Sequence, residues 1–278
     1  MQYAICNEVF QGVTFPAAAK LVRSAGYLGL EIAPFTLAEN PSLISAGERR
    51  EYRAILDSEG LAFVGLHWLM VAPKGLHVTT PDAAVRDRSW RHIRDLIDLC
   101  ADLGPHAVMV FGSPQQRSTV DGASVEEATC RFVEGLANVA GQALERDVTI
   151  LVEALPAGQS NVVTTLDEAA RIVRQIGSAA IRTMFDTHNA VDEKEAHAAL
   201  VEKHFDLVRH VHVNEMDGKH PGTGGYDFKP VLSALRRLGY QGWVSVEAFD
   251  FSFGGERIAM ESIAYLKEES GLLAARTG

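Results

Sequence analysis

A regular alternation most constrains what this chain can become: eight short apolar runs, each followed by a longer amphipathic stretch. The runs are Tyr3–Asn7, Leu28–Ile32, Leu61–His67, Ala107–Phe111, Val148–Glu153, Ile181–Asp186, Val208–Asn214 and Trp243–Ala248. Helical periodicity follows at about Phe15–Ala25, Ala46–Ser58, Asp82–Leu103, Val125–Glu145, Leu166–Ile176, Glu193–His204, Phe228–Leu238 and Glu256–Glu268. Gly26, Gly60, Gly104, Gly177 and Gly239 stand just past predicted helix ends, where a left-handed residue stops a helix. Alternating βα units imply parallel strands. Eight of them in 278 residues predict an α/β fold, one (β/α)8 TIM barrel over residues 1–278. An open doubly wound sheet would carry a G-x-G-x-x-G turn after its first strand, and here the turn reads CNEVFQG.

Composition narrows the partners. A net charge of −10 argues against a nucleic-acid groove or an anionic membrane surface, both of which need a basic footprint. Hydrophobic residues make up 47% of the chain, enough for a sizeable core, yet no apolar run approaches the ~18 residues of a membrane span. Cys6, Cys100 and Cys130 show no paired spacing and read as reduced thiols. MQYAICNEVF lacks the basic-then-apolar pattern of a signal peptide, so the expected location is the cytoplasm.

Barrel active sites form at the C-terminal ends of the strands. Strand five ends in Glu153 and strand six in Asp186, while His212 and Glu247 lie near the ends of strands seven and eight. Taken singly, each reads as a helix cap, a loop charge or a core histidine. Four on adjacent strands at matching depth read instead as one site. Three carboxylates in a confined mouth repel one another, and a divalent cation removes that cost. Three carboxylates and an imidazole suit one Mn²⁺, the first choice, or Mg²⁺ or Co²⁺, better than structural zinc.

At these residues the chain resembles the xylose-isomerase-like barrels, in particular the D-tagatose/D-psicose (ketose) 3-epimerases. The matching segments are LVEALPAGQSNVV (Leu151–Val163), MFDTHNA (Met184–Ala190), HVHVNEMDGKHPGTGGYDF (His210–Phe228) and GYQGWVSVEAF (Gly239–Phe249). The resemblance implies a metal held by Glu153, Asp186, His212 and Glu247. It makes Glu153 and Glu247 the catalytic pair that removes and returns a proton beside the carbonyl of a ketose or related oxo-sugar, through an enediolate. A small sugar or polyol is then the partner, and a dimer or tetramer the expected assembly. His188, Gln159, His67 and Glu215 are the candidate substrate contacts.

Three departures qualify this. His188 sits in D-T-H, one residue nearer the Asp than the D-x-x-H of the epimerases. Gln159 stands where they commonly carry Glu, and Gly218 where they carry an Arg. The changes point toward a modified, oxidised or cyclic polyol. The alternatives on the same scaffold are a lyase of the inosose or dehydroshikimate dehydratase kind, a 3-oxo-glycoside deglycosidase, and a hydroxypyruvate-isomerase-like enzyme. An apurinic-site endonuclease would need further ligands, and strand four ends in Phe111–Ser113 without one. A non-catalytic barrel would lack a metal ligand, and none is missing. The loops Val71–Thr80 and Gly112–Gly122 are expected to shape the pocket. Lys74 and Arg117 within them read as solvated charges or anion contacts, and Pro221–Gly225 as a turn. His77, His92, His106, His197 and His204 read as surface residues.

Overall fold

The computed structural model describes residues 1–271. Eight strands, β1 (Gln2–Cys6), β2 (Gly29–Ile32), β3 (Ala62–Leu66), β4 (Val108–Phe111), β5 (Thr149–Val152), β6 (Ile181–Asp186), β7 (Val208–Val213) and β8 (Trp243–Val246), pair in sequence order into a closed barrel. Every pairing is parallel, and β8 returns to β1. Helices α1 (Phe15–Ala25), α2 (Ala46–Glu59) and α3 (Ala83–Leu103) follow the first three strands, and a short α4 (Pro114–Arg117) follows β4. After it come α5 (Val125–Glu145), α6 (Leu166–Ile176), α7 (His197–Lys203), α8 (Lys229–Arg237) and α9 (Gly255–Glu269). The (β/α)8 barrel expected from the alternation is the fold observed.

The sequence explains these elements locally. Ser45 and Ser124 open α2 and α5 with full capping boxes closed by Glu48 and Glu127. Gly26 and Gly60 end α1 and α2 in the left-handed conformation. Gly104 differs: its φ is −178°, so α3 runs directly into an extended chain. The helix predicted over Glu193–His204, the sixth of the pattern, begins later, at His197. Asn189–Asp192 turn as a 3₁₀ segment, and the Glu193 carboxylate instead accepts from the Leu166 N–H at 2.7 Å, capping α6.

Two apolar layers hold the fold. The larger one fills the space between strands and helices; the smaller sits inside the barrel, where Ala4, Val64, Val108, Val110, Leu151 and Met184 pack with Trp243. Above that plug the inward positions turn polar. Because side chains on a strand alternate, Glu153 follows Leu151, Asp186 follows Met184, His212 follows His210 and Glu247 follows Ser245 on the inner face. Glu153 and Glu247 lie one residue past their strands, each continuing the ladder by one long bond, to Phe111 O at 3.4 Å and Val213 O at 3.3 Å. None of the three cysteines is paired. Among the described residues no helix is long and apolar enough to cross a membrane.

Candidate metal and active site

Glu153, Asp186, His212 and Glu247 converge in the barrel mouth, each offering one ligand atom within 4.8 Å of the others, and all four are buried. The register that aligns Asp186 with His212 across β6 and β7 fixes part of this meeting. The His212 Nδ1 faces Glu247 Oε2 at 3.2 Å and Asp186 Oδ2 at 3.6 Å. Neither that nitrogen nor Asp186 Oδ2 has a hydrogen-bond partner. Buried polar atoms without partners are costly. A hard divalent cation would satisfy both, so the donor set fits such an ion.

Around these four residues stands a support layer. Asn189 donates from Nδ2 to Glu153 Oε1 at 3.0 Å, and its backbone N–H donates to Asp186 Oδ1 at 2.7 Å. The Trp68 indole N–H donates to Glu247 Oε1 at 2.8 Å. Beneath them Glu31, fully buried on β2, pairs one oxygen with His212 Nε2 at 3.0 Å and the other with His210 Nε2 at 2.9 Å. A carboxylate on the far nitrogen fixes a ligand histidine's orientation and tautomer.

The charges are unequal. Burial pushes the Glu153 carboxyl up to about 8, and the neighbouring Glu247 and Asp186 push the same way. Burial also raises Asp186. Burial acts against ionisation of Glu247 too, but His212, His67 and the Trp68 donor outweigh it and hold the group below its ordinary value. Glu31 stays well below the carboxylate range because His210 and His212 overcome its burial. His212 is held well above the usual imidazole value, since Glu31 and Glu247 more than offset its desolvation.

Arg117 is neither a solvated charge nor an anion contact. It is fully buried and donates to Phe111 O at 2.9 Å and Glu153 O at 2.8 Å, with Val163 O at 3.5 Å. The guanidinium thus ties the ends of β4 and β5 together beneath Glu153. Burial lowers its pKa to about 10, which leaves it charged at neutral pH. Gly112, just past the end of β4, leaves room for the carboxylate: a Cβ there would lie 2.0 Å from Glu153 Oε2.

The other expected contacts separate into two groups. Gln159 and His67 line a cavity of about 640 Å³ that opens from Glu153 and Glu247, as do Val71, Lys74 and Asn189. His67 is almost fully buried and bonded through Nε2 to Glu8 Oε2 at 2.8 Å. His188 and Glu215 do not line it. The His188 ring bonds through Nδ1 to Met216 O at 2.9 Å, and Asn189, three residues after Asp186, takes the place at the wall. Glu215 organises the following loop by accepting from the Gly222 and Tyr226 N–H groups, at 3.0 Å each. The expectation of surface histidines also fails in part. His92 and His204 are buried, bonded to Leu69 O and Asp167 Oδ1, and His197 is half-buried against Tyr226.

Sequence reasoning passed over Glu8, Glu31, Trp68 and Asn189. Glu31 had a readable signal, a carboxylate inside the apolar run LGLEI. Trp68 had none.

Residues 19–269 match the Xylose isomerase-like TIM barrel family, and the chain belongs to it. Among curated relatives, a D-psicose 3-epimerase of Enterocloster bolteae is 31% identical over 119 residues, 43% of this chain and 40% of that one. An inosose dehydratase of Geobacillus thermodenitrificans is 26% identical over 171 residues, 53% of this chain and 56% of that one. The chain therefore aligns with about half the length of these relatives. Two solved structures share the fold: a D-psicose 3-epimerase determined in the presence of D-fructose, at 20% identity and a TM-score of 0.80 over 99% of this chain and 97% of that one, and an L-ribulose 3-epimerase, at 20% and 0.83 over 100% and 99%.

Two measurements test this arrangement of charge. Arg117→Met leaves the buried Glu153 O without a donor and takes one of two donors from Phe111 O and Val163 O, and it is expected to lower the unfolding free energy by about 2 kcal/mol or more, read by chemical denaturation. Glu153 is raised from an ordinary 4.5 to about 8, so the folded, metal-free protein binds a proton that the unfolded chain releases. Its contribution to stability is full below about 4.5 and is lost as pH rises through about 8. Chelator-treated protein should melt at progressively lower temperature as pH rises across that window, and Glu153→Gln should flatten the slope.

Proposed function

We propose that the chain is a divalent-metal-dependent sugar epimerase or isomerase. In this reading Glu153, Asp186, His212 and Glu247 hold one cation, Mn²⁺ first, with Mg²⁺ or Co²⁺ also suited. The substrate is a ketose or a related oxo-sugar. The observation that carries the reading is the convergence of three carboxyls and one imidazole on a single point of the barrel mouth, open to the cavity. When bound, the cation supplies Lewis-acid stabilisation of negative charge on a substrate oxygen.

The chain's own groups supply the proton handling. A C–H beside a carbonyl needs a base held at its face. Glu247, kept ionised by His212 and Trp68, has that character. Glu153 is the partner that returns a proton, its side chain positioned by Asn189 and its main chain by the Arg117 clamp. Two groups acting on opposite faces permit inversion, whereas one acting on one face favours aldose–ketose isomerisation. Asn189 and Gln159 bring neutral amides to the wall where hydroxyl groups need partners.

A second reading is a lyase, favoured by the inosose dehydratases among the relatives. It would share proton removal and then expel a leaving group.

The deciding experiment incubates metal-stripped and metal-restored protein in D₂O with ketoses, inososes and 3-oxo-sugars, followed by NMR. Metal-dependent deuterium uptake beside a carbonyl, with an epimer or isomer appearing, is the expected result. Uptake with loss of water or an aglycone assigns the lyase. No uptake in any sample, together with unchanged cation binding by Glu153→Gln, sinks the site itself. Gly112→Ala, whose new methyl displaces the Glu153 carboxylate, should fold normally and bind the cation at least about tenfold more weakly by calorimetry.

A further inference from the structure

The cavity beside the carboxylates is larger than one sugar ring. A hexose takes the room of roughly six or seven waters, about 200 Å³ at about 30 Å³ each. The cavity measures about 640 Å³. Besides Glu153 and Glu247, its lining includes Trp68, Val71, Lys74, Pro114 and Gln116.

Trp68 is the distinctive part of this extension. It follows β3 with a φ of 53°, a conformation that a bulky residue adopts only at a cost of about 1–3 kcal/mol. A glycine would relieve that cost if the position served only to turn the chain. The indole N–H is fixed on Glu247 Oε1, and the ring stands between Phe35 and Phe249, with centroids at 6.3 and 6.1 Å. Although so enclosed, Trp68 is 39% exposed, whereas Trp90 and Trp243 are half-buried packing residues. Phe249 is set with similar care. Its backbone N–H donates to Gly218 O at 2.8 Å, and a side chain at Gly218, whose φ is +79°, would lie 2.9 Å from the Phe249 ring. Strain at one position and a glycine at the other set two aromatic side chains that both line the cavity. The lining also includes the neutral amides of Gln116 and Gln159.

We propose that this aromatic extension is a second-ring subsite. The substrate is then a glycoside of an oxo-sugar, whose oxo-sugar ring meets the carboxylates while the aglycone ring stacks on Trp68. The inference rests on the oxo-sugar reading above and adds the chemical class of the substrate. Stacking of a flat ring on an indole contributes enough for about a tenfold gain in affinity.

The test compares phenyl β-D-glucopyranoside with methyl β-D-glucopyranoside on the magnesium-loaded full chain, by saturation-transfer NMR and tryptophan fluorescence. The expected result is about tenfold tighter binding of the phenyl glucoside, with the strongest saturation on its ring protons. Trp68→Phe, which keeps an aromatic face but loses the N–H to Glu247, should keep the preference. Trp68→Leu should abolish it. Equal binding of the two probes by the wild type, or a preference that survives in Trp68→Leu, overturns the subsite. Deuterium uptake from free ketoses judges the enolising chemistry separately. Uptake without glycoside preference removes only the subsite, and glycoside preference without uptake from any oxo-sugar removes only the enolising reading.

Discussion

Crowding of buried carboxyl groups is the constraint from which the rest of the molecule is arranged. Glu8, Glu31, Glu153, Asp186 and Glu247 are all buried in the mouth and upper interior of one barrel, with His67, His210 and His212 as their immediate counterparts. In water such groups would ionise independently. Out of water, each added negative charge raises the cost of the next. The fold answers by depth: the Glu31 pair with His210 and His212 lies deepest, and the mixed cluster lies above it. Below both, the barrel interior is an apolar plug that excludes water from beneath. Glu31 is thus the anion that makes a histidine tolerable at the bottom of the site, and His212 the group that makes three carboxyls tolerable at its top.

Arg117 supplies the other half of the balance through the backbone. A guanidinium presents donors in a rigid fork, so it can hold several carbonyls where an ammonium would hold one point. Here the carbonyls belong to Phe111 and Glu153, the residues at which β4 and β5 leave the barrel. The Phe132 ring, its centroid 5.4 Å from the guanidinium carbon, covers the buried charge with an aromatic face. Glu153 is therefore defined by its main chain as well as its side chain, with Gly112 leaving the room its carboxylate occupies.

The legible parts of the sequence were those set by periodicity. Apolar runs separated by helical patterns placed the strands within a residue or two, and the strand-end rule brought Glu153, Asp186, His212 and Glu247 to one point. The less legible parts depend on which way a single residue turns. Asp186, His188 and Asn189 lie on one tight bend, and only three-dimensional packing decides that the ring of His188 turns to Met216 O while Asn189 faces Glu153. Arg117 was misread because a polar loop, GSPQQRS, looks solvated in sequence; a short helix carries its last residue under the strand ends instead. His92 and His204 look like surface positions because they are polar residues of amphipathic helical stretches, yet each is buried with a specific acceptor.

The polar and aromatic walls of the cavity follow from where strain is allowed. The strand ladder cannot accept a left-handed residue, so the bend after β3 is the first place where Trp68 can turn its ring across the mouth while its N–H reaches Glu247 at the end of β8. A smaller side chain would leave that Glu247 oxygen without its donor, and a glycine would leave the wall open. The one residue therefore couples the orientation of a carboxylate to the shape of the space beside it. A change in the substrate held by this wall cannot be made at Trp68 without also disturbing the group that acts on it.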